Sequence, residues 1–327
     1  MSEPSFDGAD REVGPVVISG LHFGVAYSAG QDSTALLWVA ARQAAALGLG
    51  VWALHVHHGL MPQADQWVEV ARQGVRQLQA QGLPVSLRIT RLAGAPTQGE
   101  SVEAWARRER YRALAEMAQA EGLDLILLGQ HAEDQAETVL LQALRGAGPA
   151  GLAAMPRLWQ AQGLHWARPW LAQPRSSLRA ALQASGLPSV QDPSNADLRY
   201  ARARLRQQLM PGLVQAFPQA VGVLGEVARH AAQAKALGEE VAADDLPLCL
   251  APDGALRHTA WSFLGEARRR NVLAVWLRQH LPQGVPVSLL DRLMQEWCGL
   301  GRRWPAPGGE LRSVRRLLRF ESSHQTK

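Results

Sequence analysis

Lysine is almost absent from this chain of 327 residues: Lys235 and Lys327 are the only two, and the other side chains counted as cationic are arginines. Residues 1–234 therefore offer no amine for a Schiff base, and no Gly-Lys-Ser/Thr phosphate loop can exist there. Cysteine is equally scarce. Cys249 and Cys298 are the only two, both in the last quarter. They cannot supply the four thiolates of a zinc finger or an iron–sulfur cluster, and sulfur-transfer chemistry earlier in the chain lacks its nucleophile. No run of about eighteen apolar residues occurs, so no membrane span is expected. Residues 1–15 carry Glu3, Asp7, Asp10, Arg11 and Glu12, where a secretory signal needs a basic start and an apolar stretch. They read as a disordered tail on a cytoplasmic protein. What the chain has is 47% hydrophobic and 19% charged residues, the balance of a globular protein. The net charge of +5 is compatible with a nucleic-acid partner.

Short apolar runs alternate with amphipathic stretches. Leu21 to Tyr27, Val51 to Val56, Pro84 to Thr90 and Leu123 to Leu128 read as strands; segments near 33–47, 63–81, 101–120 and 132–144 read as helices. That alternation predicts an α/β fold with a parallel sheet covered on both faces, with ligands at the carboxyl ends of the strands. Ser28 to Ser33, His57-His58-Gly59 and Gly129-Gln130-His131 fall at those ends. Beyond a loop at 146–151, His165 to Leu171 is expected as an edge strand, because Pro169 cannot donate to a ladder. Residues 174–185 are expected as a helix, Asp192 to Asn195 as a turn, and Arg199 to Leu209 as a very basic helix. A boundary near 217 leads into helices near 222–243, 265–281 and 287–298 and a basic, β-like end at 310–320.

The segment Ser28-Ala29-Gly30-Gln31-Asp32-Ser33 joins a strand to a helix through small residues. Backbone N–H groups can approach a phosphate there, and the free N–H groups and positive end of the helix dipole point at the same place. Ser28 and Ser33 add hydroxyl donors. Asp32 would repel phosphate, and a magnesium ion bridging carboxylate and phosphates gives it a reason to be present. Taken alone, six residues are equally well explained by a junction in which Asp32 or Ser33 caps the helix.

With the other segments included, the chain resembles the PP-loop ATP pyrophosphatases and, within them, the tRNA(Ile)-lysidine synthetases. The family loop Ser-Gly-Gly-x-Asp-Ser corresponds to Ser28 to Ser33. His-Val-x-His-Gly is found at His55 to Gly59, Glu-Ala-x-Ala-Arg-x-x-Arg-Tyr at Glu103 to Tyr111, and His-x-x-Asp-Gln-x-Glu-Thr at His131 to Thr138. Arg-Gly-x-Gly begins at Arg145, Gly-Leu-x-x-Met at Gly151, Arg-Pro-x-Leu at Arg168 and Asp-x-Ser-Asn at Asp192. The likeness covers residues 20–215. It departs at Ala29, where the family loop has glycine, and at Ala203, where it has asparagine. Some members carry a further C-terminal tRNA-binding domain, and this chain reads as the shorter form.

The resemblance implies a PP-loop domain of the adenine nucleotide α-hydrolase-like type over 16–216 and a smaller, mostly helical, tRNA-contacting domain over 217–327. It implies ligation of free L-lysine to C2 of the wobble cytidine of isoleucine tRNA with a CAU anticodon. ATP and Mg²⁺ are consumed or required, and an adenylated tRNA is the intermediate. ATP binding then falls to Ser28, Ala29, Gly30, Gln31, Asp32, Ser33 and His57, with Asp32 also a magnesium ligand. Catalysis and the handling of lysine or magnesium fall to Asp32, Arg110, His131, Asp134 and Glu137. Contact with tRNA falls to Arg145, Asn195, Arg199, Arg202 and Arg206, and Arg312 to Arg316 is a further basic segment for the acceptor arm. Plainer readings stand beside these: a solvated acidic helix start for Asp134 and Glu137, a solvated arginine paired with Glu103 or Glu109 for Arg110, a core histidine for His55, and a solvated face for the arginine run. A PP-loop tRNA thiolase and a non-catalytic RNA-binding protein with a decayed loop are the alternatives. Monomer and homodimer are both left open.

Overall fold

The computed structural model describes residues 22–59, 63–96, 101–192, 197–281, 284–298 and 301–322. The chain divides into two compact units, one ending at Ala232 and one beginning at Gln233. The division falls some way beyond the boundary expected near 217. The tail over 1–15 and Asn195 lie outside the described residues.

The first unit is built on the expected alternation. Strands β1 (Phe23–Ala26), β2 (Val51–His57), β3 (Val85–Arg91) and β4 (Leu125–Leu127) are separated by helices α1 (Gln31–Ala46), α2 (Ala64–Ala80) and α3 (Val102–Ala120). Then come α4 (Ala132–Ala143), a short α5 (Pro149–Leu152), β5 (Leu158–Ala161), β6 (Leu164–Ala167) and α6 (Arg175–Ser185). The six strands lie in the order β3-β2-β1-β4-β6-β5, all pairs parallel except β5–β6. The direction of winding reverses between β1 and β4, which opens the crevice where such sheets bind ligands. The sheet has apolar cover on both faces: Leu37, Ala41 and Leu78 belong to one buried cluster, Tyr111, Leu114 and Trp166 to another.

One expectation fails here. The strand before Pro169 is not at the edge, because β5 forms a hairpin outside it. Gln162 and Gly163 form the two-residue loop, both with positive φ (55° and 74°). That backbone follows the right-handed twist of paired strands, and Gly at its second position is the signal for it. Pro169 lies beyond β6 and never needs to donate to the ladder.

The basic segment also departs from a regular helix. A short α7 (Ala201–Arg204) passes into a π-helical turn at Leu205–Leu209 and then into α8 (Met210–Ala216). Arg199 precedes these turns. Helix α9 (Ala220–Cys249) follows.

The second unit is mostly helical with a β-like end, as expected. Beside α10 (His258–Ser262), α11 (Glu266–His280) and α12 (Val287–Glu296) it holds a four-stranded antiparallel sheet, ordered β7-β10-β9-β8. Its strands are β7 (Leu256–Arg257), β8 (Arg303–Ala306), β9 (Gly309–Val314) and β10 (Leu317–Ser322). Trp261, Trp276, Trp297 and Trp304 are core residues there. Among the described residues, no helix is long and apolar enough to cross a membrane.

Candidate active site

The loop after β1 is organised by its two serines. Ser33 Oγ donates to the Gly30 carbonyl at 3.0 Å and accepts from the Ser28 N–H at 3.2 Å, and the two hydroxyls lie 3.0 Å apart. Gly30 is the N-cap of α1 and no side chain caps it. Neither Asp32 nor Ser33 therefore serves as the N-cap, which leaves the helix start with its anion-binding character. Ala29 has φ 61°, the left-handed region in which alanine carries a Cβ penalty that glycine does not. Its carbonyl accepts from Val190 N–H at 2.9 Å, one surrounding contact that holds the turn. Gly129, at the end of β4, lets the second loop approach closely. A Cβ there would sit 3.4 Å from the backbone of Asp32 and Ser33.

His131 joins the two loops. It is the N-cap of α4, and its N–H donates to Asp134 Oδ2 at 3.2 Å, while its side chain is buried. Nδ1 lies 3.0 Å from Glu133, and Nε2 lies 3.4 Å from Asp134 and 3.7 Å from Asp32. Burial disfavours its charged form, but these carboxylates outweigh burial and push its pKa up to about 9. Burial likewise opposes ionisation of Asp32, yet His131, Arg175 and Arg206 hold its pKa below the ordinary value. Asp32 Oδ1 is buried without a hydrogen bond, although Arg175 Nε lies 3.7 Å away.

Glu133 and Arg175 were not singled out in the sequence. Arg175 opens α6, and its N–H donates to both Glu133 oxygens at 2.9 and 3.1 Å. A cation at a helix start opposes the dipole. That mismatch was the available signal that Arg175 answers to nearby carboxylates.

Asp134 and Glu137 share one face of α4, as expected, but the cation they hold is guanidinium. Arg206 Nε and Nη2 donate to the two Glu137 oxygens at 2.6 and 2.8 Å, and Nη2 also reaches Asp134 at 3.0 Å. Arg202 donates to Glu137 at 2.9 Å and to the Asp134 carbonyl and Thr138 hydroxyl, each at 2.9 Å. Arg202 and Arg206, expected on tRNA phosphates, are thus turned inward onto α4. Their four-residue spacing places both on one side of the chain, facing the acidic pair. Arg199 is exposed and paired with Asp197 at 2.6 Å. Arg145 is exposed just beyond α4.

The histidines after β2 divide. His55 is buried, with Nδ1 2.8 Å from the Tyr27 carbonyl, and burial pulls its pKa down to about 4. It is a neutral core histidine. His57, expected at the nucleotide, has Nε2 3.4 Å from Asp65 and 3.3 Å from Arg91. His58 packs edge-on against Trp67; burial lowers its pKa, and the charge of Arg110 lowers it further. Arg110 is exposed and makes no ion pair among the described residues. Glu109, one expected partner, is taken by Arg108 and Arg112. Arg168 is buried, stacked 4.1 Å over Trp159 and bonded to Gln130 and the Pro156 carbonyl. It braces the β4 loop.

A model of the PP-loop domain matches residues 15–213. The tRNA(Ile)-lysidine synthase of Polaromonas naphthalenivorans is 45% identical over 259 residues, covering 79% of this chain and 76% of that protein. That of Bordetella bronchiseptica is 40% identical over 305 residues, covering 89% and 87%. That of Ralstonia nicotianae is 41% identical over 307 residues, covering 92% of this chain and 65% of the longer relative. Among solved structures, the U34-tRNA thiolase NcsA of Methanococcus maripaludis, with its 4Fe-4S cluster, superposes with a TM-score of 0.54 at 13% identity, covering 66% of this chain and 72% of that one. That likeness is one of fold. By the family model and by relatives of this identity over most of its length, the chain belongs to the tRNA(Ile)-lysidine synthase family.

Proposed function

We propose that the chain attaches free L-lysine to C2 of the wobble cytidine in isoleucine tRNA with a CAU anticodon. ATP adenylates the C2 oxygen and releases pyrophosphate; the ε-amine of lysine then displaces AMP. The observation that carries this reading is the convergence of an uncapped helix start at Gly30 with Asp32, His131 and Arg175 at the β1–β4 crevice. Backbone N–H groups there suit the pyrophosphate end of ATP, and Arg175 supplies positive charge where phosphate charge develops.

Magnesium fits this site as a companion of the nucleotide. Among the described residues no group of three His, Cys, Asp or Glu side chains forms a metal cage. A buried Asp32 Oδ1 without a hydrogen bond is what remains. One carboxylate plus phosphates and water is an ordinary magnesium shell, and the ion would supply charge neutralisation there. Arg110 is available for a phosphate or the lysine carboxylate. Asp134 and Glu137 are the residues assigned to the handling of lysine or magnesium. An ammonium reaches Glu137 only if Arg202 or Arg206 gives way, so handling of lysine is tied to the turn at Leu205–Leu209.

A thiolase reading has no support in the chain, because no cysteine precedes Cys249. The test is incorporation of labelled lysine into CAU-anticodon tRNA with ATP and magnesium. Label should enter the tRNA, and Asp32→Ala should abolish it. Incorporation unchanged by Asp32→Ala would refute the mechanism, and turnover with sulfide instead of lysine would refute the function.

A further inference from the structure

The starts of α4 and α6 are stitched together at the crevice. Ala132 N–H donates to the Gln173 carbonyl at 2.9 Å, and beside it the Arg175 N–H donates to both Glu133 oxygens at 2.9 and 3.1 Å. Helix α6 has Pro174 as its N-cap, and no side chain caps it from within the helix. Glu133 therefore supplies, from another helix, the acceptor that a first-turn N–H needs. The same carboxylate lies 3.0 Å from His131 Nδ1. Burial opposes its ionisation, yet His131 and the Arg175 N–H hold its pKa below the ordinary value. An ionised carboxylate at the start of α6 also offsets what the Arg175 cation loses against the helix dipole.

The tether sets where Arg175 stands. Arg175 Nε lies 3.7 Å from Asp32 Oδ1. Both atoms are shut off from solvent, and neither makes a hydrogen bond among the described residues. The separation exceeds hydrogen-bond reach, so the Nε–H is not spent on Asp32. Asp32 is the second residue of α1, whose start has no side-chain cap and suits the pyrophosphate end of ATP. Arg175 Nε–H is thus brought to the same place from α6. In adenylation, O2 of cytidine bonds to the α-phosphorus, the bond from that phosphorus to the bridging oxygen breaks, and its electron pair leaves with pyrophosphate. A guanidinium N–H at the pyrophosphate end meets the charge that grows on the leaving group.

We propose that Arg175 is a catalytic residue that holds the departing pyrophosphate, and that Glu133 is the positioning residue that fixes it there by clamping the start of α6. This rests on the adenylation proposed above, and it gives Glu133 a part in that step.

Calorimetric titration of the full chain with inorganic pyrophosphate and magnesium, and separately with AMP, tests it. Arg175→Gln should weaken pyrophosphate binding roughly tenfold and leave AMP affinity unchanged. Glu133→Ala should weaken pyrophosphate binding by a similar factor. Glu133→Gln, which keeps an oxygen for the Arg175 N–H, should recover most of it. The double variant Glu133→Ala with Arg175→Gln should bind pyrophosphate no more weakly than Arg175→Gln alone, because Glu133 acts through Arg175. Losses that multiply in the double variant, no recovery in Glu133→Gln, or equal weakening of AMP and pyrophosphate would each overturn the positioning role. Unchanged pyrophosphate affinity in Arg175→Gln, or no pyrophosphate binding by the unaltered chain, would overturn the catalytic role. A chain that binds pyrophosphate in the expected pattern but fails to incorporate lysine would refute the proposed activity alone.

Discussion

Truncating Glu137 tests whether the acidic pair on α4 is an anchor or an open receptor. Its side chain is 2% exposed and accepts three hydrogen bonds, two from Arg206 and one from Arg202. Removing one partner of a buried ion pair costs about 3–5 kcal/mol, because the charges left behind are stranded. Two features place Glu137→Ala at the lower end. The arginine side chains are 38% and 29% exposed and can swing partly into water. Arg202 also keeps the Asp134 carbonyl and Thr138 hydroxyl, and Arg206 keeps Asp134. The expected loss is therefore about 3 kcal/mol, a fall of roughly 6–12 °C in melting temperature for a unit of this size. Thermal and urea melts of the ATP-free protein measure it, alongside lysine incorporation at a temperature where the variant is folded. A melting point within 2 °C or so of the parent, with incorporation lost, would refute the anchor and make Glu137 a substrate ligand.

Three further outcomes follow from the same geometry. Because the folded pKa of His131 is raised to about 9, its contribution is fully present below its unfolded value near 6.5 and is lost as pH rises through 9. In protein free of ATP and magnesium, His131→Gln should flatten the stability profile between about pH 6.5 and 9, and an unchanged slope there would disprove the charged histidine. Ala29→Gly should be close to neutral: relief of about 1–2 kcal/mol of left-handed strain is offset by about 0.8 for a buried methyl and about 0.4–1 for a freer unfolded chain. A gain above about 2 kcal/mol in denaturant melts would contradict that balance. Gly74→Ala should destabilise by about 1–3 kcal/mol, since the new Cβ would lie 2.6 Å from the buried Tyr27 hydroxyl. Adding Tyr27→Phe should restore stability, and a double variant no better than the single one would refute the clash.

The sheet was legible because β1, β2 and β4 are largely apolar runs bounded by turns, as a parallel sheet covered on both faces requires. Strand β3, at the sheet's edge, alternates apolar Val85, Leu87 and Ile89 with polar residues. Strand β5, Leu158–Ala161, escaped because four residues with an exposed glutamine carry no period, and only the Gln162-Gly163 turn marked it. The candidate site was legible as a set of residues but not as a set of partners. Ser28, Asp32 and His131 follow strand ends, and Asp134 and Glu137 lie on the first turns of α4 just beyond His131. Glu133 and Arg175, which tie His131 to α6, were hidden because their contact spans 42 residues.

The arginines show why partners decide. Composition and spacing treat Arg202-Ala203-Arg204-Leu205-Arg206 and Arg312-Ser313-Val314-Arg315-Arg316 alike: both are basic and both suit phosphate. In the folded chain they differ in kind. The first group lies opposite two carboxylates spaced three apart on α4, and a four-residue spacing of Arg202 and Arg206 answers that pair side chain for side chain. The positive charge of Arg202 and Arg206 is consumed internally, where desolvation favours the match, whereas Arg204 is exposed and donates only to the Leu198 and Arg199 carbonyls. The second group sits on a hairpin whose two glutamates are already engaged by Arg303 and Arg312, so the charge of the turn is left over. A net charge of +5 does not distinguish these cases. Arginine that a fold neutralises contributes to stability, and only the partners each side chain meets in the folded chain, not the run of charge, tell which arginines those are.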